Sequence, residues 1–285
     1  MVMSLLILSF AAFGAAFLAS VPYRVAMLET SRVRYQSFGK GAKAIVLVHG
    51  WTCDLTFWTR NIPVLSAQYR VIVLDLPGHG DSDAPKISYT PQLFARALDV
   101  VLKDAKVSRA ILVGHNMGAP VIRQFLVDFP AKVNGLVLVD PAISTPASPE
   151  EMEQRKARRA SFLESLRGPG YLEFAEKFID RMFVPETPLE LRAEIKPKML
   201  TTPQHVCASA MDGMSDGGMW AKQTEIPTLA IFSDKGRGAE NRAMLGAMFS
   251  NLDHQEWPGG GNFTMLEKPD QFNNAVLAFV AKLGF

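Results

Sequence analysis

Cysteine is nearly missing from the 285 residues. Cys53 and Cys207 stand alone, too few for a disulfide framework and without the paired spacing of a zinc site. Two free, buried thiols are expected, with a single bridge as the alternative. Net charge is equally scarce: thirty Lys and Arg oppose 28 Asp and Glu, leaving a formal +2. No excess of basic residues of the kind that phosphate backbones require remains, so nucleic acid is not an expected partner. No repeat of fixed period appears, and no metal or cofactor is expected. What the chain has is core. With 48% hydrophobic and 20% charged residues, disorder, collagen and coiled coil are excluded in favour of a globular protein.

One long run lacks charge altogether. Val2 to Val21 holds only Ser4, Ser9 and Ser20 as polar side chains, about enough residues for a bilayer-crossing helix. A secretory signal begins with a basic residue, whereas here Arg24 comes after the run. Ala16, Ala19 and Ser20 still suit cleavage, and an uncleaved helix would leave Arg24 cytoplasmic. Residues 1–22 are therefore read as an apolar leader or anchor helix making membrane contact, and an exported or anchored location is favoured over a cytoplasmic one. The competing reading is an apolar helix packed on this protein or on the second subunit of a homodimer. Deleting residues 1–20 is expected to leave a folded body.

Beyond Ser31, short apolar β-branched runs alternate with helical stretches: Arg32–Phe38, Ala44–Val48, Val71–Leu74, Ala110–Val113, Leu136–Val139, Thr228–Phe232 and Leu252–Trp257. Strands alternating with helices predict an α/β fold, a mostly parallel sheet covered on both faces. Between Pro141 and Ile226 no β-rich run occurs, and Pro149, Pro169, Pro188 and Pro203 each sit near the start of a helix-like stretch. The expected division is a core of residues 23–141 and 226–285 with a helical cap at 142–225.

Three segments carry the chemistry. VLVHGWTCDLTFW is a strand running into the turn His49-Gly50-Trp51. ILVGHNMGAPVI is a buried strand, a tight turn flanked by Gly114 and Gly118, then a helix. EWPGGGNFTMLEKPDQF is a last strand, a glycine run, Asn262 and a final helix. With LDLPGHGDSD between the first two, the chain from Ser31 to Phe285 resembles the α/β-hydrolase fold family, in its capped esterase, lactonase and C–C hydrolase branch. The resemblance implies an eight-stranded-type sheet flanked by helices, a cap inserted after the sixth strand, and a Ser, acid, His triad in that order. It also implies an oxyanion hole from the backbone N–H groups of Trp51 and Met117, and structural roles for His49, His79 and His115.

The sequence departs from that family where the chemistry sits. Asn116 holds the nucleophile position and Asn262 the catalytic histidine position. A carboxamide neither loses a proton near neutral pH nor accepts one, so neither attack nor general-base activation is available. The acid is Asp140, after the sixth strand, in preference to Asp234, after the seventh. Phe57, Trp58, Met182, Met211, Met214 and Trp220 are candidates for an adaptable apolar pocket wall. The expected function is a hydrolase for a small hydrophobic carboxylic ester or lactone, here in a catalytically disabled form. Two alternatives stay open: a pseudoenzyme binding a small hydrophobic ligand or partner, and a dehalogenase or epoxide-hydrolase type whose nucleophilic Asp is replaced by Asn116. Met117 argues against the last.

Overall fold

The computed structural model describes residues 14, 16–143, 148–214, 218–233 and 238–285. Eight strands form one sheet: β1 (Arg24–Leu28), β2 (Ser31–Phe38), β3 (Lys43–Val48), β4 (Val71–Leu74), β5 (Arg109–His115), β6 (Val133–Val139), β7 (Thr228–Ser233) and β8 (Leu252–Trp257). Their order is β1-β2-β4-β3-β5-β6-β7-β8. The first two strands pair antiparallel with their neighbours, and β3 through β8 run parallel. β3, β4, β5 and β6 are apolar almost throughout because both faces are covered.

The helices are α1 (Ile62–Ser66), α2 (Pro91–Asp104), α3 (Gly118–Asp128), α4 (Pro149–Arg167), α5 (Tyr171–Asp180), α6 (Leu189–Met199), α7 (Gln204–Gly213), α8 (Gly238–Met248), α9 (Thr264–Glu267) and α10 (Pro269–Lys282). Four of them, α4 to α7, lie between β6 and β7. α4 begins on a capping box, in which Ser148 accepts from the Glu151 N–H and Glu151 returns a bond to the Ser148 N–H. Strand order reverses direction around β3, since β4 flanks it on one side and β5 on the other. In open parallel sheets ligands collect at the carboxyl ends of the strands beside such a switch. His49-Gly50-Trp51 and Asn116 follow β3 and β5 at that place.

β1 was not among the expected strands, and the chain just before it is tied to the body. Leu18 is buried and the Phe17 ring stacks on Phe38 at 5.5 Å. Gln36, itself fully buried, donates to the carbonyls of Leu18 (2.9 Å) and Val21 (2.5 Å). Most of the expected leader, residues 1–13 and 15, lies outside the described residues. No described helix is long and apolar enough to cross a membrane. Deleting residues 1–20 removes the Leu18 side chain from the core and leaves the Gln36 amide short of an acceptor. Each loss costs about 1–3 kcal/mol, so the truncated protein should fold but melt roughly 3–10 °C below the full chain. An unchanged melting temperature in a thermal scan would show that these contacts do not hold.

Candidate active site

The turn after β5 is built for close approach. Gly114 has no room for a Cβ, which would lie 2.5 Å from the Gly118 carbonyl oxygen, and one at Gly118 would strike the Val48 carbonyl. Between them Asn116 takes a left-handed φ of 48°, a conformation that Asn adopts more readily than other residues with a Cβ. Its backbone is pinned: the N–H donates to Val139 (2.9 Å), and the carbonyl accepts from Ala119 and Ala142 (both 3.2 Å). The side chain is half-buried, and no hydrogen bond from it to the described residues is found.

The turn after β3 presses against this elbow. A Cβ on Gly50 would lie 2.7 Å from His115 Nδ1 and 3.1 Å from the Asn116 Cβ. Trp51 and Met117, whose N–H groups are the expected oxyanion donors, are both buried. The Trp51 indole N–H donates to the Cys207 carbonyl on α7 (3.0 Å), and its ring meets Phe178 of α5 edge-on at 5.5 Å. The inserted helices therefore rest directly on the β3 turn. Cys53 and Cys207 are both free and buried, as expected, and burial pushes both thiols up in pKa.

Three histidines surround the elbow, each held neutral by burial. His49 and His115 are pushed down to about 4 and His79 to about 3. The Leu76 N–H donates to His49 Nε2 (3.0 Å), which places the His49 proton on Nδ1, facing the Gly50 carbonyl at 2.9 Å. His79 Nδ1 faces the Pro77 carbonyl at 3.0 Å. His115 Nε2 donates to the carbonyl of Asn262 at 2.6 Å. None of the three offers an open imidazole. His254, on β8, is buried beside Glu256 (3.2 Å), and His205 sits against the Ala84 carbonyl (3.2 Å).

Asp140 follows β6 with a φ of 40°. Its Oδ1 accepts from the Ser233 N–H (2.8 Å) and hydroxyl (2.9 Å) at the end of β7. That partnership joins two adjacent strand ends, and Ser233 was not singled out in the sequence. Asp234, the alternative acid, lies outside the described residues. Asn262 joins the elbow through His115 and the inserted segment through its N–H, which donates to the Met182 carbonyl (3.1 Å). Positions 116, 140 and 262 thus gather at the carboxyl ends of β5 and β6 and the loop after β8.

The pocket candidates separate. Met182 is half-buried beside Asn262. Phe57 packs on Phe263, whose ring also touches His115 and Phe183. Trp58 is fully buried between His115 and Phe272, as part of the core. Trp220 packs on Phe249, next to the isolated bridge of Thr224 with Phe249 that precedes β7 and therefore away from the carboxyl ends. Met211 and Met214 are half-buried near the end of α7, where Gly213 closes against Tyr89. A polar cavity of about 320 Å³, lined by Arg34, Asp54 and Asp75 among others, does not include Asn116 or Asn262. Among the described residues, no cluster of His, Cys, Asp and Glu has the arrangement of a metal site.

A family profile described as alpha/beta hydrolase fold matches residues 43–206, more than half of the chain. The chain belongs to the α/β-hydrolase fold family. Along almost its whole length, this α/β hydrolase is 28% identical to the 2-hydroxy-6-oxononadienedioate/2-hydroxy-6-oxononatrienedioate hydrolase of Burkholderia vietnamiensis, over 88% of this chain and 91% of that protein. A 123-residue stretch is 36% identical to the dihydrolipoyllysine-residue acetyltransferase component of the acetoin cleaving system of Cupriavidus necator. That match covers 43% of this chain and only 33% of the relative, so the chain spans about a third of that protein. Among solved structures, bromoperoxidase from Bacillus anthracis superimposes with a TM-score of 0.81 at 20% identity, covering 91% of this chain and all of that one. The enol-lactonase of Burkholderia xenovorans gives 0.78 at 21% identity with the same coverage. At such identities the likeness is one of fold.

Proposed function

We propose that this α/β hydrolase binds a small hydrophobic carboxylic ester or lactone without cleaving it, as a catalytically disabled member of its family. The observation that carries the reading is Asn116 on an intact elbow. The left-handed φ, both close-packed glycines and the tight β3 turn are all kept, while the side chain they present has no nucleophilic atom. Asn262, at the position of the base, has no basic nitrogen. The N–H groups of Trp51 and Met117 would hold the ligand's carbonyl oxygen, and the inserted helices serve as a cap over it. The names of the relatives, a C–C hydrolase among the sequences and an enol-lactonase among the folds, support a carbonyl ligand.

The test pairs turnover with binding. The purified protein should hydrolyse p-nitrophenyl esters and acyl lactones no faster than buffer, yet calorimetric titration with the same intact compounds should saturate at one site. Turnover proportional to protein concentration, or no binding across the panel, would overturn the reading.

A further inference from the structure

Glu267, the last residue of α9, sits outside the three triad positions, yet its carboxylate joins two parts of the chain. Oε2 accepts from the Gly261 N–H at 2.6 Å, and Oε1 accepts from the Thr187 hydroxyl at 2.6 Å. Thr187 is buried and takes the Val184 N–H on its own oxygen at 3.2 Å. One residue beyond Gly261, the Asn262 N–H reaches the Met182 carbonyl (3.1 Å) and the Asn262 carbonyl receives His115 Nε2 (2.6 Å). Met182 to Thr187 is the stretch that joins α5 to α6. The approach is tight, since a Cβ on Gly261 would lie 2.7 Å from Glu267 Oε1 and 3.1 Å from the Met182 carbonyl. Residues 261 and 262 are therefore tied to the inserted segment directly through Met182 and indirectly through Glu267 and Thr187. They are tied to the elbow through His115.

We propose that Glu267 is a positioning residue that locks residue 262 to the inserted Met182–Thr187 segment, so that the placement of residue 262 against the elbow depends on that segment. A carboxylate accepting two donors makes charge-assisted bonds, stronger than neutral ones. The bonds of Asn262 to Met182 and His115 use backbone atoms, so this part of the lock is available to any side chain at position 262.

Hydrogen exchange on the full-length protein tests this without any catalysis. Thr187→Val removes a hydroxyl that bonds Glu267 and makes no hydrogen bond to residue 261 or 262, while keeping a group of similar size where that oxygen packs beside Gly261. The Gly261 and Asn262 amides should then exchange about tenfold faster or more, with β5 amides unchanged, and Thr187→Ser should restore the parent rates. Acceleration confined to Val184 would overturn the proposal. A second arm rests on the disabled-hydrolase reading. In an Asn116→Ser, Asn262→His background, Glu267→Gln keeps the side-chain size but turns an amide N–H toward one of the two donors. It should lower kcat about tenfold while leaving KM within about twofold. An unchanged kcat would also overturn the proposal. If that background shows no activity at all, the two substitutions have not rebuilt a hydrolase, and the exchange result alone decides the lock.

Discussion

Asn116→Ser combined with Asn262→His is expected to create a serine hydrolase, raising kcat/KM for short-chain p-nitrophenyl esters by on the order of a thousandfold over the parent. Either change alone should stay within about tenfold of background, because a serine without a base and an imidazole without a nucleophile each lack their partner. The backbone is ready at both positions. The elbow is held through the main chain of residue 116, whose N–H donates to the Val139 carbonyl and whose carbonyl accepts from the Ala119 and Ala142 N–H groups, and serine at a φ of 48° adds at most about 1–2 kcal/mol of strain. Residue 262 is held by Met182 and His115 through its own main chain, and these two bonds survive an exchange of the side chain. Asp140 is already oriented by two donors from Ser233, and adding Asp140→Asn should remove most of the gain if this carboxylate orients the new imidazole. A fluorophosphonate probe reads the outcome by covalent labelling at position 116. A folded double variant that neither labels nor turns over ester would mean that the elbow no longer presents its side chain productively, and that more than the two asparagines separates this chain from an active hydrolase.

The elbow was legible in the sequence because its requirements are local. Gly114 and Gly118 bracket residue 116, and the reason for each glycine is a backbone contact within a few residues or one strand away. The seven expected strands are all present, and five of them, β3 to β7, announce themselves as the apolar runs of buried parallel strands. β1 escaped for the opposite reason. It follows the uncharged leader directly, and its Val25 and Met27 face outward, so it shows no pattern that separates it from its surroundings. Contacts set by sheet order were also hidden: Ser233 reaches Asp140 only because β7 lies beside β6. Aromatic content could not say which way a ring points. Trp58 turned out to fill the core and Trp220 to pack on Phe249, whereas Trp51, expected only as a backbone donor, also bridges to α7 through its indole.

Acidification should unfold the protein cooperatively between about pH 6 and pH 4. His49, His79 and His115 are each depressed from 6.5, to about 4, 3 and 4 respectively, with burial as the leading cause. A group whose folded pKa is lowered contributes stability above its unfolded value, and that stability is lost as pH falls from about 6.5 toward the folded value. Here the unfolded chain takes up three protons that the native core refuses. Asp75 runs the other way. Burial raises it to about 7 despite the Leu55 N–H at 2.9 Å and Arg34 at 3.9 Å, so its contribution is present at low pH and is lost as pH rises through the same window. Among these four groups, three protons against one leave a net of about two, or roughly 2.7 kcal/mol of stability lost per pH unit in mid-window. The geometry favours the histidines in that contest. A proton on His49 Nε2 would face the Leu76 N–H that now donates to it, and the His79 ring lies only 5.1 Å away. Urea unfolding from pH 7 down to about pH 4.5 measures the slope. His115→Gln should reduce it by removing one refused proton, and Asp75→Asn should steepen it by removing the opposing carboxyl. A stability that stays flat or rises on acidification would mean that these imidazoles are reached by water and charged within the folded protein.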